Sequence, residues 1–560
     1  MLLAGLLGGC FTSTEGEPPP TDELYFPVGL SLFGEGNALL AVANSDYDLH
    51  YNSGNVFVLD AARIRELTPE PCNSDDDCDD GDYPTCDTIE VSQPPSYTCI
   101  DRAMGPCRGG PERSPADRSL YPGRCESQAI DEALRLSVKR IGAFATDVLY
   151  QPNPDYQPSS DGSEVTKMGR LFVPVRGDAT LHWIDVSSNG KLDCGDDDGA
   201  CDDFHRVGDD PDEENSRDLR LDPEPFALAA SSEGPAIVVT NRTTGKASLF
   251  VNDWDTRPAL KHALEGLPAF PVGIAALPAP ALVPALEALH AEPREGTPLA
   301  EVAASWDTLG YAPGFLVSFA NARQIDLLRY FQQDPAQNED YLRLADRVGI
   351  YLNSPGYDSR GIAVQARERS AAELRCASRN GVTLPCDAAC VGGLAPEALD
   401  SYLRCVEEAA STPVDVYVAN RSPASLLVGR TRPVVNDVQT SEVPDFYAAI
   451  PLTLGPSRVV TGDVIVDNGG VKGYEPRVFA ICFDSRRIFV YDPVRRMIDT
   501  EITTGRGPHA VAIDPVNGLL FVGHFTDSYI GVVSIDRRFP RTYGKTLATI
   551  GKPVPPRTSK

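Results

Sequence analysis

Basic charge is what this chain of 560 residues lacks most: 50 Lys and Arg stand against 80 Asp and Glu, a formal net charge of −30. A phosphate backbone or an anionic lipid surface would be repelled, which excludes nucleic acid as a partner class. Histidine is scarce too. His50, His182, His205, His262, His290, His509 and His524 stand singly, without the spacing that marks a metal centre. Gly-x-Ser-x-Gly, His-Glu-x-x-His, a phosphate-binding loop and Cys-x-x-Cys-His are all missing, so no catalytic residue is assigned from local motifs. A usable membrane span is missing as well. Gly266 to Leu286 is uncharged, but Pro268, Pro271, Pro278, Pro280 and Pro284 would leave too many backbone groups unpaired in lipid. A strand followed by a Pro-rich loop is expected there, with no transmembrane helix.

Turn chemistry is what the chain has in plenty. With 47 Gly, 48 Pro and 42% hydrophobic residues, the composition suits many short strands joined by tight turns. A chain of this length exceeds what one core can fill, so it must form several domains or a closed array of repeats.

The last 54 or so residues favour the array. Gly507-Pro-His-Ala-Val-Ala-Ile-Asp514, Gly518-Leu-Leu-Phe-Val522, Tyr529-Ile-Gly-Val-Val-Ser-Ile-Asp536 and Thr546-Leu-Ala-Thr-Ile550 are four β-rich runs separated by turn residues. They resemble the YVTN-type β-propeller repeat, with Gly523-His524 in place of that repeat's Ala-Asn pair. One four-stranded sheet cannot bury both its faces, so further sets are required. Six are found. They comprise Pro27–Leu30, Leu40–Asn44 and Asn55–Asp60; Ile141–Phe144, Arg170–Val173 and Thr180–Asp185; Pro225–Leu228, Ala236–Asn241 and Ala247–Val251; Pro271–Ala275, Phe315–Asn321 and Gln324–Leu328; Gly361–Val364, Asp415–Asn420 and Ser425–Val428; and Pro456–Val460, Arg477–Ile481 and Arg487–Asp492. The expected fold is therefore all-β, a single seven-bladed β-propeller over residues 24–551, with a tail at 552–560. Insertions decorate it: a Cys-rich module at 65–130 between the first two blades, helical segments at 281–310 and 333–350, and a disulfide-clamped helical hairpin at 366–409.

The first nine residues form a short apolar stretch ending Leu7-Gly8-Gly9-Cys10, which resembles the lipobox of bacterial lipoprotein precursors. That resemblance implies a signal peptide over 1–9, lipidation of Cys10 and a flexible tether over 10–23. Phe11, rather than an acidic residue, follows the cysteine. By the same resemblance this implies an outer-membrane lipoprotein facing the periplasm or the cell surface, held by its lipid alone.

Cysteine usage agrees with export. Cys72, Cys78, Cys86, Cys99, Cys107 and Cys125 form one cluster, Cys194 and Cys201 another, and Cys376, Cys386, Cys390 and Cys405 a third. Even-numbered groups in polar loops are what an oxidising compartment permits, and disulfides are expected throughout. Zinc is the competing reading at Cys386 and Cys390, where no histidine lies nearby. Cys482, in an apolar run, reads as a buried thiol.

Asp185, Ser187, Asn189, Lys191, Asp193 and Asp196 fall at the ligand positions of an EF-hand-like loop, with Gly190 at the turn. Two readings fit this stretch: a weak calcium site, or a plain Asn-Gly turn in a solvated acidic loop. Asp75–Asp80 and Asp209–Glu214 are acidic too and read as solvated loops. The function expected is an exported binding or scaffolding module taking a protein or a surface glycan. The alternatives are a lactonase-like hydrolase or quinone-dependent dehydrogenase with its site in the central channel, and an outer-membrane assembly factor.

Overall fold

The computed structural model describes residues 16–78, 81–87, 97–101, 105–108, 110–118, 121–157, 167–195, 199–208, 219–291, 312–334, 339–352, 357–431 and 442–554. Seven antiparallel blade sheets follow one another along the chain, and all but the first, whose last strand comes after a small two-stranded sheet, are built from strands consecutive in sequence. Their innermost strands open at Pro27, Leu149, Pro225, Pro271, Tyr357, Pro456 and Pro508. Each innermost strand packs against the next, and that of the seventh blade packs against that of the first. The ring is closed, and the architecture is a seven-bladed propeller.

The sequence pattern explains why the sheets stand radially. Second strands such as Leu39–Asn44 and Leu519–His524 are buried along their whole length. A strand covered on both faces reads as a continuous apolar run rather than an alternating one. Successive side chains nevertheless serve different neighbours. Leu40 and Val42 pack with Phe521 and Ile550 of the seventh blade, whereas Leu39, Ala41 and Ala43 pack with Leu171 and Val173 of the second. Seven apolar clusters of this kind fill the seven seams between blades. Near the axis the strands approach too closely for side chains. A Cβ on Gly29 would lie 2.4 Å from the Val148 nitrogen, and one on Gly361 would lie 2.8 Å from the Arg458 Cα.

Three expectations need correction. Ile141–Phe144 is not the inner strand of the second blade: Arg135–Ile141 is the outermost strand of the first, paired with Gly54–Asp60. The Cys-rich insertion, placed between the first two blades from sequence, therefore lies inside the first blade and separates its last strand from its partners. The second blade begins after Phe144, where Ala145 bridges to Val175. Helix was expected over 333–350, but Glu339–Gly349 is the outermost strand of the fourth blade. Leu342 and Leu344 pack into the seam with the third blade, Val348, beyond a bulge, packs into the seam with the fifth, and Arg347 holds the buried Asp326.

Elsewhere, Leu282–Ala291 is helical, and 292–310 lie outside the described residues. Helices at Arg367–Asn380, Ala388–Gly393 and Pro396–Ala410 share an apolar core with Leu282, Leu286 and Leu289. No described helix is long and apolar enough to cross a membrane.

Candidate functional site: the mouth of the axial channel

Every blade enters its inner strand through a residue of positive φ: Phe26, Phe144, Glu224, Phe270, Asp358, Gly455 and Gly507. Proline follows five of them and disfavours the right-handed helical region at the residue before it. In six blades the carbonyl of this residue accepts a hydrogen bond from the first residue beyond the second strand, as in Ser45 N to Phe26 O at 3.2 Å and Phe525 N to Gly507 O at 2.8 Å. Blades are also stitched to one another here, with Phe144 N donating to Ser45 O and Phe270 N to Arg242 O. The mouth is thus a collar of hydrogen-bonded backbone from which side chains project.

Those side chains divide by chemistry. Blades one, two, six and seven supply aromatics. Phe26 and Phe525 lie 5.0 Å apart, Tyr47 sits edge-on to Phe525 at 5.3 Å and to Phe144 at 6.2 Å, and Phe483 meets Phe525 at 6.2 Å. Tyr47 is 54% exposed and Leu49, in the same loop, 61%. Paired charges join blade two to blade three and blade five to blade six, and one pair lies within blade five. Arg176 binds Glu224 at 2.5 Å, Arg421 binds Asp484 at 2.6 Å, and Arg360 pairs with Asp358. Burial opposes the Glu224 charge, but hydrogen bonds from Arg176 and Thr243 keep its carboxyl below the usual range. Arg242 lies over Phe226 at 5.5 Å and Phe270 at 5.6 Å.

One pair crosses the axis. Arg458, on the inner strand of the sixth blade, reaches Asp147 of the second at 3.1 Å, and its Nη2 also donates to the Thr146 carbonyl at 3.3 Å. Those blades are not neighbours in the ring, so the contact spans the channel. Beside it lies His509, 6.0 Å from Phe525 and 6.3 Å from Phe483. Enclosure, reinforced by the Arg458 charge, pushes this imidazole well below its ordinary pKa and leaves it neutral. Asp46, next to Tyr47 in the chain, is buried, with Oδ1 accepting from Tyr51 N at 3.1 Å and Oδ2 without a hydrogen-bond partner. Burial raises its carboxyl to about 6.

The residues singled out from sequence lie elsewhere. Asp185 binds Lys167 and Arg170, each at 2.7 Å, and Arg170 is wholly buried against Trp183. Ser187 Oγ donates to Asn189 Oδ1 at 2.6 Å, Lys191 N donates back to both side chains, and Asp193 is exposed. Asp196 lies outside the described residues, as do Asp79, Asp80 and 209–214. A cation at this loop would have to displace Lys167 and Arg170 from Asp185. Disulfides join Cys72 to Cys86, Cys78 to Cys99, Cys107 to Cys125, Cys194 to Cys201, Cys376 to Cys405 and Cys386 to Cys390. Cys386 and Cys390 are thereby unable to hold zinc. Among the described residues the one trio close enough to share a metal is Cys72, Cys78 and Cys99, whose sulfurs are all in disulfides. Cys482 is free and buried, its thiol pushed up to about 11. Cys10 lies outside the described residues. Sequence reasoning passed over Arg458, Asp147 and the aromatic collar; the one local signal was the proline that opens five of the inner strands, preceded by Phe, Glu or Gly.

No family model and no curated protein matches the chain. Solved structures do. The periplasmic gluconolactonase of Pseudomonas aeruginosa is 15% identical, with a TM-score of 0.39 over 78% of this chain and 96% of that one. A putative 6-phosphogluconolactonase of Bacteroides fragilis is 14% identical, with a TM-score of 0.39 over 75% and 88%. A Lactobacillus plantarum protein is 10% identical, with a TM-score of 0.39 over 86% of each chain. Likenesses this distant carry no argument about ligand or reaction.

Proposed function

We propose that the chain is an exported, lipid-anchored binding module that takes a protein or surface-glycan partner on the mouth of its ring. The Arg458–Asp147 pair carries this reading. It crosses the channel with two groups that neutralise each other, and the histidine beside them is held neutral by enclosure. A reaction at the axis needs a carboxylate or imidazole free to exchange a proton near neutral pH. Asp46 has a suitable affinity, but it is buried. Exposed aromatic and arginine side chains on a hydrogen-bonded frame are the residue types that dominate binding energy at interfaces. The lipidation expected at Cys10 would hold that surface near a membrane.

Hydrolysis of glucono-δ-lactone by the purified chain separates the readings. Binding predicts the uncatalysed rate, whereas an acceleration abolished by Asp147→Asn would establish the lactonase alternative. Anchoring is tested by fractionation: Cys10→Ala should move the protein from membranes to the soluble fraction, and retention on membranes would refute the lipid.

A further inference from the structure

Away from the mouth, a cavity of about 500 Å³ opens on the outer rim between the sixth and seventh blades, beneath the Cys-rich insertion. Its basic lining comes from three segments far apart in sequence. Arg118 and Arg124 belong to the insertion, Arg486 and Arg487 to a turn of the sixth blade, and Arg541 and Lys545 to the loop before the last strand. No Asp or Glu lines it. In a chain of net charge −30, six cations around one cavity is the reverse of what the composition supplies.

Three of the six are already paired. Arg118 and Arg124 share Glu112 at 3.0 and 2.9 Å, Arg124 also holds Asp87 at 3.0 Å, and Arg487 pairs with Glu501. The other three, Arg486, Arg541 and Lys545, are exposed and have no carboxylate partner among the described residues. Arg541 lies over the Tyr97 ring, 4.4 Å from its centroid, which holds the guanidinium at the cavity wall. Arg124 keeps a buried Nε with no hydrogen-bond partner. A guanidinium edge offers parallel donors that match the oxygens of a carboxylate, phosphate or sulfate. The hydroxyl-bearing Thr503 and Thr546 and the apolar Pro122 and Leu547 complete the wall.

We propose that this cavity binds a small oxyanion of about two or three negative charges, the number of cations left without a partner. The phosphate, sulfate and carboxylate forms share the chemistry the site reads. The site is independent of the mouth, so either proposal can fail alone.

Calorimetric titration of the intact chain with citrate, pyrophosphate and a sulfated disaccharide, at low and high salt, is the test. At least one should bind one to one with a dissociation constant below about 1 mM, weakening as salt rises. Arg541→Ala and Lys545→Met should each weaken it roughly fivefold or more, and the triple variant with Arg486→Ala should abolish it. All three side chains are exposed, so folding should survive, with an unchanged circular dichroism spectrum as the check. Arg63→Ala, at an exposed cation elsewhere, and Arg458→Met, at the mouth, should leave binding unchanged. Which anion binds identifies the source. Absence of binding by all three anions, or binding indifferent to the triple variant, overturns the proposal.

Discussion

Asp46 shows how one side chain reports on its surroundings. Its carboxyl is raised to about 6 because burial disfavours the charge, so the folded state holds the proton more tightly than the unfolded chain does. The ionised form therefore costs stability, a cost absent in acid that grows as pH rises past the usual carboxylate range and is complete above about 6. Asp46→Asn keeps an oxygen for Tyr51 N and should raise the melting temperature at pH ~7.5 while leaving it unchanged at pH ~3.5. A gain of equal size at both values would remove burial as the cause. Arg170 is the opposite case, a charge whose burial is fully compensated. It donates to Asp185, to Asn252 Oδ1, and to the carbonyls of Asp253 and Thr256, joining the second blade to the third. Arg170→Met would strand these acceptors and should cost about 3–5 kcal/mol in denaturant unfolding, whereas a loss under ~1 kcal/mol would mean the network is solvated.

Among elements, the Cys-rich insertion acts far from its place in sequence. Gln128 N donates to Thr549 O and Gly551 N to Gln128 O, both at 2.8 Å, so the insertion of the first blade caps the open edge of the last. Cys107–Cys125 braces this segment across 18 residues, a closure worth about 3 kcal/mol by loop entropy. Gln128→Pro removes one donor and should speed hydrogen exchange at the Gly551 amide while leaving the inner strands protected. Unchanged exchange there would mean the edge is covered some other way. The same insertion explains what the sequence hid. Leu40–Asn44 and Ala236–Asn241 were legible as strands because both faces are buried and the apolar run is unbroken. Ile141–Phe144 reads as an inner strand, and Arg135–Ile141 goes unseen as the last strand of the first blade, because the insertion separates it from its partners in sequence. Glu339–Gly349 imitates a helix because a bulge at Ala345 breaks the two-residue alternation that marks a strand. Arg458 and Asp147 stand 311 residues apart, and no local pattern joins them.

Across the whole molecule, stability rests on seven seams of one kind. The seam joining the last blade to the first is as well filled as the others, with Phe521 and Phe57 fully buried in it. Phe521→Ala there and Phe479→Ala in the seam between the sixth and seventh blades should each cost about 3–5 kcal/mol and leave a single unfolding transition. A much smaller loss at Phe521 would mark an open ring.

A double-mutant cycle across the axis tests closure and the crossed channel together. Arg458→Met, Asp147→Asn and the combination should be non-additive in unfolding free energy by about 1–2 kcal/mol, since each single change breaks the same contact. Additive losses would show that the sixth and second blades do not meet, and the binding reading built on a crossed axis would fall.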